Sequence, residues 1–359
     1  MAGNRMADKK MAPTGRVKGR LMVLIVAAAG ARPALTRGAL LLLLRFVRLC
    51  ALGLSLGTVL GGCAWLSAKQ SQFALRPTPG RPASLADDSV LFRPGDVRWR
   101  VPVAPVAPEA SASANGTVAP DQLALWWLPH ADPQAPTLLY LHGTFRNLYQ
   151  NLSKIDALRQ AGYSIVAVDY RGWGESTSIV PTEESITADA REAWAEVQRR
   201  QPDASRRVIF GHSMGGAVAV RLASTLHGPL HTARAGGSDY AALVLESTFT
   251  RLPDIAAAAG FWGRIAAAAT TLEFDSLSRI GRIDAPLLML HGTADRTVPV
   301  ELGRRLRDAA PAGVRWIEIP GGSHSRLHSD APAVYQEALA QLLHATKSKP
   351  ATPSRARSQ

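Results

Sequence analysis

From residue 136 onward the chain repeats one pattern, and that pattern leaves few folds open. Short apolar runs bounded by Gly, Pro or Asp fall at 137–141, 164–169, 207–210, 242–245, 286–290 and 314–319. A run that is apolar at nearly every position suits a strand buried on both faces, because each side chain then meets a covering layer. Between the runs lie stretches of helical spacing. Thr182 offers a cap with Glu183 and Glu184 in the first turn, and Ile186, Ala190, Trp194 and Val197 follow along one helix face. Residues 214–223, 300–309 and 331–344 read as helices too. Strands alternating with helices of this length predict an α/β fold, a mostly parallel central sheet with helices on both faces.

In such a sheet, ligands gather beyond the carboxyl ends of the strands. The first run leads into His142-Gly143-Thr144 and the second into Tyr170-Arg171-Gly172-Trp173. The third leads into Gly211-His212-Ser213-Met214-Gly215. The fifth leads into His291-Gly292-Thr293-Ala294-Asp295, and the sixth passes through Gly321-Gly322 to Ser323-His324. A serine hydroxyl is a weak nucleophile until a histidine takes its proton and a carboxylate orients that histidine. Ser213, Asp295 and His324 each follow a strand, in that chain order, and are the candidate catalytic residues. The glycines flanking Ser213 permit a strained strand-to-helix elbow that exposes the hydroxyl. The backbone amides of Met214, at the helix start, and Thr144 are the candidate oxyanion-hole donors. Each such donor contributes about 3 kcal/mol to a transition state. Glu246, ending the preceding strand, is an alternative acid, and His328 is an alternative to His324. His212 is expected to pack beneath the elbow, and Asp169 and Arg171 to hold the loop after their strand.

Six segments in order, LLYLHGT (138–144), VDYRGWGES (168–176), GHSMGG (211–216), ESTFT (246–250), PLLMLHGTADRTVP (286–299) and GGSH (321–324), carry a wider likeness. Residues from about 135 to 345 resemble the α/β-hydrolase superfamily, in particular its membrane-tethered branch with serine-aminopeptidase-like and lysophospholipase-like members. The resemblance implies the α/β-hydrolase fold with a small cap at 248–283 and a serine hydrolase with no cofactor and no metal. Serine at the elbow implies an acyl-enzyme formed from a carboxylic ester, whereas dehalogenase and epoxide-hydrolase relatives carry Asp there. A lysophospholipase, acyl-thioesterase or peptidase on the same triad is the alternative. A catalytically idle envelope scaffold or binding protein is the alternative of another class. One departure is HGTFRN (142–147), where many relatives read His-Gly-Asn-Ala-Gly-Asn, so Phe145 and Arg146 near the oxyanion loop are expected to alter the acyl pocket.

The net charge of +13 invites a nucleic-acid reading, but its location argues against one. Residues 1–48 hold ten Lys or Arg and one acid, residues 347–359 hold four and none, and residues 49–346 carry 27 of each sign. The basic ends read as a targeting segment and a solvated tail, and no nucleic-acid partner is expected. Residues 1–66 are expected to be a targeting segment, with a 12-residue apolar stretch from 49 to 60 after Arg45 and Arg48. Leu60-Gly61-Gly62-Cys63 resembles a lipoprotein lipobox, which would make Cys63 the site of lipid attachment. The uncharged stretch 49–66 could instead serve as an uncleaved anchor, and a buried core helix is the third reading. Either membrane reading predicts attachment to a bacterial envelope through the N-terminus, with the catalytic domain in the periplasm. Residues 67–120 read as a Pro-rich approach with a first strand at 97–103 and a loop at 108–120. Residues 121–346 read as the hydrolase domain. For the cap, rich in Ala between 255 and 269, the sequence leaves open a helix packed on the core or a small lid touching substrate or bilayer.

Overall fold

The computed structural model describes residues 65–85, 87, 92–105, 119–226 and 238–347. Cys63, the residues ahead of it and the tail beyond 347 lie outside the described residues. Among the described residues no helix is long and apolar enough to cross a membrane.

Eight strands form one sheet: β1 (Val97–Val103), β2 (Asp121–Leu128), β3 (Thr137–Leu141), β4 (Ser164–Asp169), β5 (Arg207–His212), β6 (Ala242–Glu246), β7 (Leu287–Gly292) and β8 (Arg315–Ile319). Their order is β1-β2-β4-β3-β5-β6-β7-β8. β2 pairs antiparallel with both β1 and β4, and every later pairing is parallel. This is the doubly covered, mostly parallel sheet that the alternation of runs and helices predicts. The strand pattern explains why so little of it is polar. On β3, Leu139 and Leu141 face one core with Ile209 and the helix Glu183–Arg200, while Leu138 and Tyr140 face the other with Phe210 and Leu158. Successive side chains point to opposite faces, so a strand with two covered faces must be apolar at every position.

The helix Glu183–Arg200 begins where the sequence places it. The Thr182 side chain accepts the Ser185 amide, and Ile186, Ala190, Trp194 and Val197 are all buried. Two features differ from the sequence reading. β1 belongs to the same sheet as the rest, so the sheet begins ahead of residue 121. Residues 65–75 are helical, and Leu75 at the end of that helix is buried in the main core. The prolines at 77, 79 and 82 mask this from a composition-based reading, because they follow the helix rather than interrupt it.

The sheet's topology selects one crevice. From β3 the chain moves outward to β4 on one side, then returns to place β5 on the other side of β3. The loops leaving β3 and β5 therefore diverge, and space opens between them beyond the strand ends.

Candidate active site

Ser213 leaves β5 and immediately precedes the helix Met214–Ala223. Its backbone sits at φ 55° and ψ −122°, a left-handed conformation that a non-glycine residue adopts only under constraint. The constraint is visible on all sides. The Ser213 amide donates to the Glu246 carbonyl at 2.9 Å, and Thr248 Oγ1 donates to the Ser213 carbonyl at 2.9 Å. Gly211 and Gly215 make the elbow sterically possible. A Cβ on Gly211 would fall 2.3 Å from the Gly215 carbonyl oxygen, and one on Gly215 would fall 2.1 Å from that of Leu141.

His324 follows β8 and bridges the other two candidates. Ser213 Oγ donates to His324 Nε2 at 3.0 Å, and His324 Nδ1 donates to Asp295 Oδ2 at 2.7 Å. The remaining oxygen of Asp295 accepts the amides of Thr297 and Val298, each at 2.8 Å. Burial alone would raise the Asp295 carboxyl. Bonds from His291 and His324, the electrostatic attraction of the His324 ring and the Val298 amide outweigh it and hold the carboxyl well below its ordinary range. An anion held in this way fixes both the tautomer and the orientation of the imidazole it faces.

Of the alternatives left open by the sequence, Glu246 and His328 are placed elsewhere. Glu246 is fully buried and takes an ion pair from Lys154 and a hydrogen bond from the Tyr335 hydroxyl at 2.9 Å. His328 packs against the Tyr335 ring, with centroids 6.2 Å apart. His212 lies beneath the elbow as expected, and its Nε2 donates to the His324 carbonyl at 3.0 Å. Burial first, then the nearby Lys154 ammonium, lowers the His212 pKa well below the usual histidine range, so it is a neutral strut.

The loop after β3 passes over the serine. A Cβ on Gly143 would lie 3.0 Å from Ser213 Cβ, which brings the Thr144 segment against the elbow. Met214 opens its helix, so its amide is one of those that an α-helix leaves without an internal acceptor. His142 Nδ1 donates to the Gly143 carbonyl at 2.6 Å, and its Nε2 faces Asp169 Oδ1 at 3.5 Å. Asp169 in turn accepts the Leu148 amide at 2.9 Å. Burial pushes the Asp169 carboxyl up to about 8 and draws His142 down to about 4. The pair is thus neutral in the fold near pH 7, a bracing contact beneath the loop. Arg171 is held by Asp189 and Asp121 at 2.8 and 2.9 Å, as expected of a loop-fixing residue. Phe145 has φ 71°, and its ring sits 4.9 Å beneath the Arg76 guanidinium.

Lys154 and Tyr335 escaped the sequence reading. The helix Leu152–Gln160 turns Lys154 inward beside Ile155 and Leu158. Its lysine looks like a surface residue until the acid across the sheet is known. His291 falls within the 286–299 segment, yet its contact with Asp295 at 3.4 Å has no separate signature in the sequence.

Residues 138–338 match a family described as "Alpha/beta hydrolase family". An uncharacterised protein of Mycobacterium tuberculosis is 33% identical over 203 residues, which cover 56% of this chain and 67% of that one. Human protein ABHD12B is 30% identical over 242 residues, 62% of this chain and 64% of that one. The lysophosphatidylserine lipase ABHD12 of Danio rerio is 31% identical over 199 residues, 52% and 50%. The chain thus spans about half to two thirds of the length of these relatives. An esterase of Pyrococcus furiosus superposes with a TM-score of 0.53 at 18% identity, covering 76% of this chain and 97% of that one, a likeness of fold.

Proposed function

The chain belongs to the alpha/beta hydrolase family, and on that premise we propose that it is a serine hydrolase of carboxylic esters working through an acyl-enzyme. One juxtaposition carries the reading: a single imidazole bonded on one nitrogen to the Ser213 hydroxyl and on the other to the Asp295 carboxylate.

Ser213 Oγ attacks the acyl carbonyl while His324 Nε2 takes its proton. The carbonyl π pair moves onto oxygen, and the Met214 and Thr144 amides donate to that oxyanion. The oxyanion collapses, the bond to the leaving alkoxide breaks, and His324 returns the proton to make the alcohol. Water then attacks the acyl-serine, again giving its proton to His324. The second collapse frees the carboxylic acid and returns the proton to Ser213. Asp295 stabilises the imidazolium formed twice in this cycle and keeps its proton-accepting nitrogen toward the serine.

The likeness to lysophosphatidylserine lipases favours a lysophospholipid as the ester. The deciding experiment is a p-nitrophenyl ester series from acetate to palmitate alongside lysophospholipids, with Ser213→Ala and fluorophosphonate labelling as controls. Ser213→Ala should reduce kcat/KM by roughly 10,000-fold or more and abolish labelling. A wild type that is inert on every ester and unlabelled by the probe overturns the reading and leaves the scaffold alternative.

A further inference from the structure

The cap holds two helices, Leu252–Ala258 and Phe261–Ala269, and neither buries a single residue. Yet residues 255–269 are Ile, Ala, Gly, Phe and Trp, with Arg264 as the one charge. Helices that are apolar on nearly all sides are ordinarily covered. Here Leu252 and Ile255 at the base touch the core, while Phe261 is 63% and Trp262 78% exposed. The hairpin is closely built, since a Cβ on Gly263 would fall 1.9 Å from the Ala256 carbonyl oxygen. The hairpin therefore has no room to close further and cover its outer face.

A second element extends this surface. In helix 65–75, Leu66, Lys69 and Phe73 recur at i, i+3 and i+7, and Phe73 is 80% exposed. Gln70 Nε2 donates to the Ala269 carbonyl at 2.8 Å, which sets the two elements side by side. We propose that this surface docks on the interfacial zone of a phospholipid bilayer. Three observations select a bilayer over another protein. Exposed Phe and Trp beside Lys69 and Arg264 form the amphipathic composition that places rings at the acyl boundary and cations at phosphates. The uncharged stretch 49–66, with Cys63 in its lipobox-like setting, runs directly into helix 65–75, so attachment of that stretch delivers this helix to the membrane surface. Finally, the cap lies between β6 and β7, at the strand ends from which Ser213 projects. The consequence for substrate rests on the proposed hydrolase reading: docking presents a membrane-borne ester to the site.

The test uses the full chain in phosphatidylcholine vesicles containing phosphatidylglycerol, with and without brominated acyl chains. Subtracting the Trp262→Phe signal from the wild type isolates one of eight tryptophans. Quenching of that difference by bromolipid is the expected result. A Phe261→Ser, Trp262→Ser, Ile265→Ser variant should lose about tenfold or more in hydrolysis of a vesicle-borne lysophospholipid, with p-nitrophenyl acetate turnover changed less than about twofold. Quenching without turnover of either ester keeps the docking and removes the hydrolase reading. A Trp262 signal shielded from aqueous acrylamide but untouched by bromolipid overturns the docking in favour of a protein cover, the chain's own apolar segment or a second copy. A signal open to acrylamide in vesicles overturns it as well.

Discussion

At the residue scale the elbow is the most demanding position, because its geometry depends on side chains that are absent. Gly215→Ala would push a methyl into the Leu141 carbonyl, and backbone cannot yield as a flexible side chain can. We expect this variant to lose activity by about 100-fold or more, or to fold poorly, as read by ester hydrolysis and thermal unfolding. The His142–Asp169 pair beneath the loop after β3 makes a pH prediction. Asp169, raised to about 8, keeps in the fold a proton that the unfolded chain releases, so its effect is to lower stability as pH rises through that window. His142, lowered to about 4, refuses a proton that the unfolded chain binds, so its effect is to raise stability with pH until the ordinary histidine range. The two slopes oppose each other below about pH 6.5, and Asp169 acts alone from there to about 8. Stability should therefore fall by about 2 kcal/mol between those values, and Asp169→Asn should flatten the fall. Urea unfolding of both proteins at the two pH values measures it. Equal slopes would mean that the Asp169 carboxyl is ionised in the fold.

At the scale of elements, the sheet and the helix Leu152–Gln160 are joined through charge as well as apolar packing. Burial draws the Lys154 ammonium down, and Glu246 partly restores it. Removing one member of a buried pair strands the other. Lys154→Met should cost about 3–5 kcal/mol of unfolding free energy, and Lys154→Met with Glu246→Gln should recover most of it. Glu246 also ends the strand whose carbonyl holds the Ser213 amide, so the single variant is expected to lower activity more than the double variant. Denaturant unfolding and kcat/KM, measured on the same preparations, would show whether the two losses track one another.

Across the whole molecule, stability is unevenly distributed. β3, β5 and β6 are buried along their entire length, while the cap helices hold no fully buried residue. Amide exchange, followed by mass spectrometry in the absence of lipid, should be orders of magnitude faster across 252–269 than across β5. Comparable protection in the two segments would mean that the cap is covered by protein. The segment behind helix 65–75 ties the site's loops together. The carbonyls of Thr78 and Gly80 accept from Asn147 Nδ2 at 3.2 and 2.8 Å, and the Gly80 amide donates to the Gly174 carbonyl at 2.6 Å. A stretch read from composition as a Pro-rich approach thus braces both the loop after β3 and the loop after β4.

What the sequence by itself determined was whatever depends on short-range pattern. Strands such as 137–141 and 164–169 stood out because burial on both faces demands unbroken apolar runs, and the helix at 214–223 because glycine marks its entry. Ser213, Asp295 and His324, which the fold joins by hydrogen bonds, stood out as candidates because the chemistry of a serine nucleophile requires those types after strand ends in that order. Tertiary structure alone decided how His324 spans Ser213 and Asp295 while Lys154 and Tyr335 engage Glu246. It also decided that the alanine-rich cap stands outside the core. The physical reason is common to these cases: a charge or an apolar face declares its partner only when residues far apart in the chain meet, and no local spacing records that meeting.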